Sequence, residues 1–381
     1  MNYAERLDRF RRQIDGAADL VFLSISADLQ YLTGVPRDLP NYGAVLHPGN
    51  WLEGAWMTPE RGPVLTLPRM TAELGGLGDQ PGIEIRVLGD HDDPASLARD
   101  ILAGFDLPAQ PRVAVNDGAH AESVVNIQRL LPGATFLSAT RLLNPLRRIK
   151  TEEEIAIMRR AGEITEAAFA ATLPKLRPGM TELDVMSEIN HQLRRHGSLG
   201  ESFVTTMYNS GPNHPLIFGK RLETQNRVLT PPVSLLFDFG AIYEGYCYDF
   251  GRTVSFGEPP EEFVRIHRIV MDAQQAGIAA LKAGEATAAD ADRAARQVVE
   301  AAGYGEAFRH RLGHGIGLDV HEAPFLTASD STLLEEGMLF TVEPSITQFN
   351  TFSARVEDVV AVRPGGGEPL TRGFQDLIVI E

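Results

Sequence analysis

The stretch VSLLFDFGAIYEGYCYDFGRTVSF carries two aspartates, Asp238 and Asp249, among aromatic, aliphatic and glycine residues. Sequence this apolar reads as interior, where an ionised carboxylate is costly unless something offsets its desolvation. The flanking runs are β-rich, and Tyr243-Glu244-Gly245 between them is a turn signal. A hairpin folding about residues 243 and 244 sets Asp238 directly opposite Asp249 on one face. Bare like charges so placed repel or share a proton, whereas a divalent cation between them reverses the sign of the interaction. Taken alone, two aspartates at this spacing are more often solvent-facing, because buried charges are rare.

Two further clusters change the balance. HRLGHGIGLDVHEAP, starting at residue 310, holds three of the chain's ten histidines. His314 lies between Gly313 and Gly315, which lets the backbone approach a ligand closely, and imidazole suits borderline transition metals. His321 follows in the same glycine-rich segment, just before Glu322 and Pro324. The third cluster is GMLFTVEPSITQFNTFSARVEDVVAV. Glu343 ends an apolar strand there and Glu357 lies in another, so a second hairpin brings two carboxylates together, although Pro344 interrupts the ladder. Asp238, Asp249, His314, Glu343 and Glu357 are too oxygen-rich a set for structural zinc. They suit a two-metal site holding Mn²⁺, Co²⁺ or Zn²⁺.

The elements that must position these residues are legible in outline. A chain of 381 residues exceeds one ordinary core, so two domains are expected. The first part alternates helical and strand patterns, as α/β folds do, with apolar runs LVFLSIS, GAVLH, GPVLTLP, IEIRVLG and RVAVND. The boundary falls near residues 145 to 150, giving domains 1–146 and 147–381. Thr151 followed by Glu154 forms a capping box that opens a long helix, and a second helix starts at Thr181. A strand-rich block (203–256), two more helices (260–282 and 286–302) and a second strand-rich block follow, which is the pattern of a pseudo-duplicated α+β domain. Net charge is −16, from 35 basic and 51 acidic residues, which argues against a general nucleic-acid binder. No run approaches the ~18 apolar residues of a membrane span, and the charged N-terminus lacks a secretory signal pattern. The single cysteine, Cys247, cannot form an intrachain disulfide. Cytoplasm is the default expectation.

DFGAIYEGYCYDFGRT, GHGIGLDVHEAP, GMLFTVEPSI and ARVED, in this order, resemble the creatinase/prolidase/aminopeptidase P metallopeptidase family (M24). LNPLRRIKTEEEIAIMRRAG resembles that family's domain junction and ADLQYLTGV its N-terminal domain, so the resemblance spans nearly the whole chain. It implies an α/β creatinase-like N-terminal domain plus an α+β pita-bread catalytic domain. It also implies a peptidase cleaving before proline, most like an Xaa-Pro dipeptidase. The alternatives are an aminopeptidase P-like or broader peptidase, a metal-free creatinase-like C–N hydrolase, and an inactive binding module. By resemblance, Asp238, Asp249, His314, Glu343 and Glu357 bind two divalent ions, Mn²⁺ first and Co²⁺ or Zn²⁺ as alternatives, with Asp249 and Glu357 bridging. Glu343 doubles as general base, His321 contacts substrate, and Arg355 orients Glu357. The implied partners are a small peptide substrate and a second copy of the chain, with no nucleic acid or membrane.

Two departures bear on specificity. The family usually carries a further substrate-site histidine after an SGPN-like stretch. Here Phe218 occupies that place, and His214, directly after SGPN, either substitutes for it or caps a turn. Tyr248 and Gly251 stand where the family more often has a small residue and threonine. Tyr248 would then narrow the site or reach substrate. Trp51 and Trp56, the chain's only tryptophans, are expected to serve local packing.

Overall fold

The computed structural model describes residues 1–37, 48–77 and 82–381, and the apolar run GAVLH lies outside them. The chain divides into two compact units, Met1–Arg147 and Arg148–Glu381.

The first unit is built on strands β1 (Leu20–Ser24), β2 (Gly54–Met57), β3 (Val64–Pro68), β4 (Glu84–Leu88), β5 (Arg112–Val115) and β6 (Thr135–Ser138). They form one mixed sheet in the order β4-β3-β2-β1-β5-β6. Helices α1 (Tyr3–Ile14), α2 (Ala27–Thr33), α3 (Arg69–Leu74), α4 (Pro94–Ala103), α5 (Ala121–Leu130) and α6 (Ala139–Arg147) alternate with the strands. Pairing is parallel for β1–β5, β5–β6 and β3–β4, and antiparallel around β2. Trp51 and Trp56 are buried in this unit's core, where Trp56 lies 4.6 Å from the Phe22 ring, so both serve packing.

In the second unit, Thr151 and Glu154 complete the expected capping box of α7 (Glu152–Thr172). Thr181 caps α8 (Glu182–Arg195). A four-stranded sheet follows in the order β19-β11-β8-β7, made of β7 (Thr206–Ser210), β8 (Val233–Phe239), β11 (Phe250–Phe256) and β19 (Ile378–Ile380). Between β8 and β11 the short strands β9 (Ile242–Tyr243) and β10 (Tyr246–Cys247) form the hairpin tip. Past the short helix α9 (Arg221–Gln225), helices α10 (Glu261–Ala280) and α11 (Ala288–Ala301) precede a five-stranded sheet. Its order is β13-β12-β14-β17-β18, with β12 at Gly313–Gly315, β13 at Glu322–Leu326, β14 at Leu339–Val342, β17 at Asp358–Ala361 and β18 at Glu368–Pro369. A small ladder pairs β15 (Ser345–Ile346) with β16 (Ala354–Arg355).

Alternation along the strands decides which residues face the site. Phe237 and Phe239 of β8 and Phe250 of β11 pack edge-on or tilted against Phe169 of α7, so Asp238, Asp249 and Gly251 project from the opposite face. Phe340, Val342 and Val360 join Phe263, Val270 and Ala273 of α10 in the second core, which fixes the other sheet. Among the described residues, no helix is long and apolar enough to cross a membrane.

Candidate metal centre

The aspartate hairpin forms, but its register differs from the expected one. Asp238 pairs with Gly251 and Phe239 with Phe250, so Asp249 is diagonal to Asp238 and not opposite it. The turn residues are Glu244 and Gly245, flanked by the Tyr243–Tyr246 pair. Both have positive φ, 48° and 80°, as a tight two-residue hairpin turn requires. Moving the turn one residue along slips the pairing by two, and an even slip keeps both aspartates on the same face.

The second hairpin works the same way. Val342 pairs with Asp358, so Glu343 and Glu357 leave the end of one ladder together. The two sheets are joined at this point: the Glu357 N–H donates to the Gly251 carbonyl at 2.8 Å, and the Gly251 N–H donates back at 3.3 Å. Gly251 permits that approach, since a Cβ there would stand 2.9 Å from Glu357 Cβ and 3.1 Å from its Oε2. Arg252 braces the junction, donating to the Glu357 carbonyl at 2.7 Å and to Asp358 Oδ1 at 2.7 Å.

His314 comes in from β12. Its Nδ1–H donates to the Gly315 carbonyl at 3.0 Å, which leaves Nε2 to face Asp249 Oδ2 and Glu343 Oε1, each at 3.6 Å. One ligating atom each from Asp249, His314 and Glu357 lies within 4.8 Å of the others, and all three residues are buried. Asp238 joins through Arg355, whose Nη1 donates to Asp238 Oδ2 at 2.7 Å and lies 3.8 Å from Glu343 Oε2. Arg355 is therefore bound to Asp238, not to the Glu357 carboxylate it was expected to orient. His321 is exposed, with its ring centroid 4.0 Å from that of His314.

The electrostatics are those of a site short of positive charge. Burial and the neighbouring carboxylates push Asp249 and Glu357 well above the usual carboxylate range. Asp238 is raised by burial, opposed by Arg355. Glu343 is pushed up to about 7, by burial above all. Burial, with His321 adding to it, lowers His314 to about 3, so its imidazole is neutral. Asp249 Oδ1 and Glu357 Oε2 are buried without a hydrogen-bond partner among the described residues. Buried acceptors facing one another, beside a neutral imidazole, are a donor set that fits divalent cations.

Other expected residues lie elsewhere. His214 makes a backbone turn with Gly211, and its buried side chain lies 3.5 Å from Glu182 Oε1. Tyr248 neither narrows the site nor reaches into it: it is fully buried, its hydroxyl 2.9 Å from that of Thr371 and its ring against Gly162. Phe218 is exposed and packs edge-on against Phe349 at 5.4 Å. Sequence reasoning gave no role to His310, whose Nε2 accepts from the Ser345 hydroxyl at 2.7 Å and whose Nδ1 lies 4.0 Å from Glu343 Oε2. Its place at the head of HRLGHG was the available signal.

The sequence model of metallopeptidase family M24 matches residues 156–364. The chain is 30% identical to a putative dipeptidase of Bacillus subtilis (strain 168), with 100% of each covered. It is also 30% identical to an Xaa-Pro dipeptidase of Lactobacillus delbrueckii subsp. lactis, over 98% of both chains. Among solved structures, a dipeptidase from Pyrococcus horikoshii OT3 aligns with a TM-score of 0.85 at 30% identity, covering 98% of this chain and 99% of that one. A recombinant prolidase from Thermococcus sibiricus aligns with a TM-score of 0.88 at 26% identity, over 100% of this chain and 99% of that one. These neighbours share the pita-bread fold with the second unit.

Proposed function

Because this chain belongs to metallopeptidase family M24 and is a metallopeptidase, we propose that it hydrolyses the peptide bond before proline in Xaa-Pro dipeptides, using two divalent cations, Mn²⁺ by preference. The observation that carries the reading is the convergence of Asp249, His314 and Glu357 within 4.8 Å, with carboxylate oxygens left unpartnered in a buried site. The restriction to Xaa-Pro dipeptides is supported by the similar Xaa-Pro dipeptidase and prolidase.

In this reading Asp238, Asp249, His314, Glu343 and Glu357 would hold the cations. Divalent cations bound there would supply a nucleophilic hydroxide at neutral pH and polarise the scissile carbonyl. Glu343 lies at the open end of its ladder and is the residue suited to take a proton from the attacking water and pass it to the leaving nitrogen. That transfer matters because proline's amide nitrogen bears no hydrogen and must gain one to leave as a secondary amine. Arg355 holds Asp238 through its 2.7 Å hydrogen bond. In the same reading His321, exposed beside His314, donates to the carbonyl oxygen as charge develops on it. The first unit is the creatinase/prolidase-type domain in the same proposal, and the enzyme works as a cytoplasmic homodimer.

Product analysis tests this. With Mn²⁺ added, Ala-Pro should yield alanine and proline, while Ala-Pro-Ala and Ala-Ala remain intact. Cleavage of the tripeptide alone would point to an aminopeptidase instead. Wild-type rates in Glu343→Gln would remove Glu343 from the chemistry.

A further inference from the structure

The loop that presents His321 is anchored by a buried ion pair between its neighbour Glu322 and Lys150, 172 residues away in sequence. Lys150 Nζ lies 2.9 Å from Glu322 Oε2, with the two side chains only 3% and 7% exposed. The other oxygen of Glu322 accepts the Asp319 N–H at 3.1 Å, so one carboxylate ties the loop both to itself and to Lys150. Gly317 closes over the pair: a Cβ there would stand 2.8 and 2.9 Å from the two Glu322 oxygens and 2.9 Å from Lys150 Cε. On its other side, the Gly317 carbonyl accepts the Cys247 N–H at 2.8 Å. Cys247 belongs to the hairpin tip that leads into Asp249. Lys150 is itself held by its N–H, which donates to the Gly337 carbonyl at 2.8 Å.

A buried ion pair is a poor source of net stability, because desolvation cancels much of the attraction. Its useful product is a fixed geometry. The segment it fixes, IGLDVH (316–321), is glycine-containing and irregular between β12 and β13, and it ends on the exposed His321. We propose that Lys150 and Glu322 are positioning residues for hydrolysis, whose ion pair under Gly317 holds the His321 imidazole against His314. The proposal rests on the peptidase reading above for its activity arm only.

The test uses the Mn²⁺-loaded full chain and Ala-Pro. Lys150→Met/Glu322→Gln removes both charges of the pair together. kcat should fall about 10- to 100-fold, as it does when partners of site residues are lost, with KM and bound Mn²⁺ unchanged. In a His321→Ala background the same double change should cost less than ~2-fold more, because residues acting through one group are non-additive. Unchanged kcat, or a full multiplied loss in that background, overturns the proposal. Should the double variant fail to fold, Glu322→Asp carries the same cycle with the charge retained. Hydrogen exchange at the amides of 316–322 reads the anchor without activity and should quicken at least ~10-fold in the variant, while the core amides stay protected. Unchanged exchange refutes the anchor even in a protein that cleaves nothing. A wild type inactive on Ala-Pro counts against the peptidase reading alone.

Discussion

Replacing Glu343 by glutamine should change how the metal-free protein responds to pH, in a direction set by burial. The Glu343 carboxyl is pushed from 4.5 up to about 7, chiefly by desolvation, with Asp238 adding repulsion and Arg355 opposing it. The folded state therefore binds this proton more tightly than the unfolded chain does. The stability so contributed is fully present below about pH 4.5 and is lost as pH rises to about 7. At ~1.4 kcal/mol per unit, the interval corresponds to about 3 kcal/mol. His267, His310 and His314, lowered by burial to about 4, 4 and 3, act oppositely, since their neutral folded forms lose stability as pH falls below 6.5. The wild-type profile alone is thus not diagnostic, whereas the difference between wild type and Glu343→Gln cancels what the two share. Urea unfolding in chelator should show the glutamine variant gaining about 3 kcal/mol on wild type between pH 4.5 and 7.5. Asp249 and Glu357, both raised partly by Glu343, add in the same sense. A constant gap, or one moving toward wild type, would refute the claim that a buried carboxylate is held protonated here. Saturating Mn²⁺ should reverse the gap, because binding to the native state stabilises it.

Three further perturbations separate the parts of the site. Gly251→Ala forces a Cβ to 2.9 Å from Glu357 Cβ, so it should cost about 1–3 kcal/mol in urea unfolding and weaken Mn²⁺ binding in calorimetry; wild-type affinity would contradict the close junction. Arg355→Met leaves Asp238 without its guanidinium and should destabilise the metal-free protein at neutral pH by about 3–5 kcal/mol, less once Mn²⁺ is bound. Equal losses with and without metal would count against it. Tyr248→Phe deletes only the hydroxyl contact to Thr371, so a loss near 1 kcal/mol is expected, with kcat/KM on Ala-Pro unchanged. An altered substrate preference would return Tyr248 to the site.

What the sequence disclosed follows from how far each signal reaches along the chain. Local chemistry was legible: the Thr151–Glu154 box starts α7 where expected, and the hairpin signalled by Tyr243-Glu244-Gly245 put Asp238 and Asp249 on one face. The register was missed because the turn forms at Glu244-Gly245, where both residues take positive φ, and a non-glycine doing so leaves little trace in sequence. Arg355 was found, but its partner is Asp238, set by how β16 meets the other sheet and not by its nearness to Glu357. Tyr248 shows the same limit from the other side. It stands one residue from Asp249, yet alternation turns it into the interior. Lys150 and Glu322, like Arg252 and Asp358, are far apart in sequence and meet only in the fold. No spacing rule pairs them.

The central claim is that Asp238, Asp249, His314, Glu343 and Glu357 together hold the cations on which hydrolysis depends. It is tested most directly by titrating Mn²⁺ into chelator-treated protein while following both heat and Ala-Pro hydrolysis on the same sample. Binding should saturate at two equivalents per chain, with activity rising from none to its plateau over the same range and absent from Glu357→Gln. Full hydrolysis in the presence of chelator, or wild-type binding by Glu357→Gln, would contradict it.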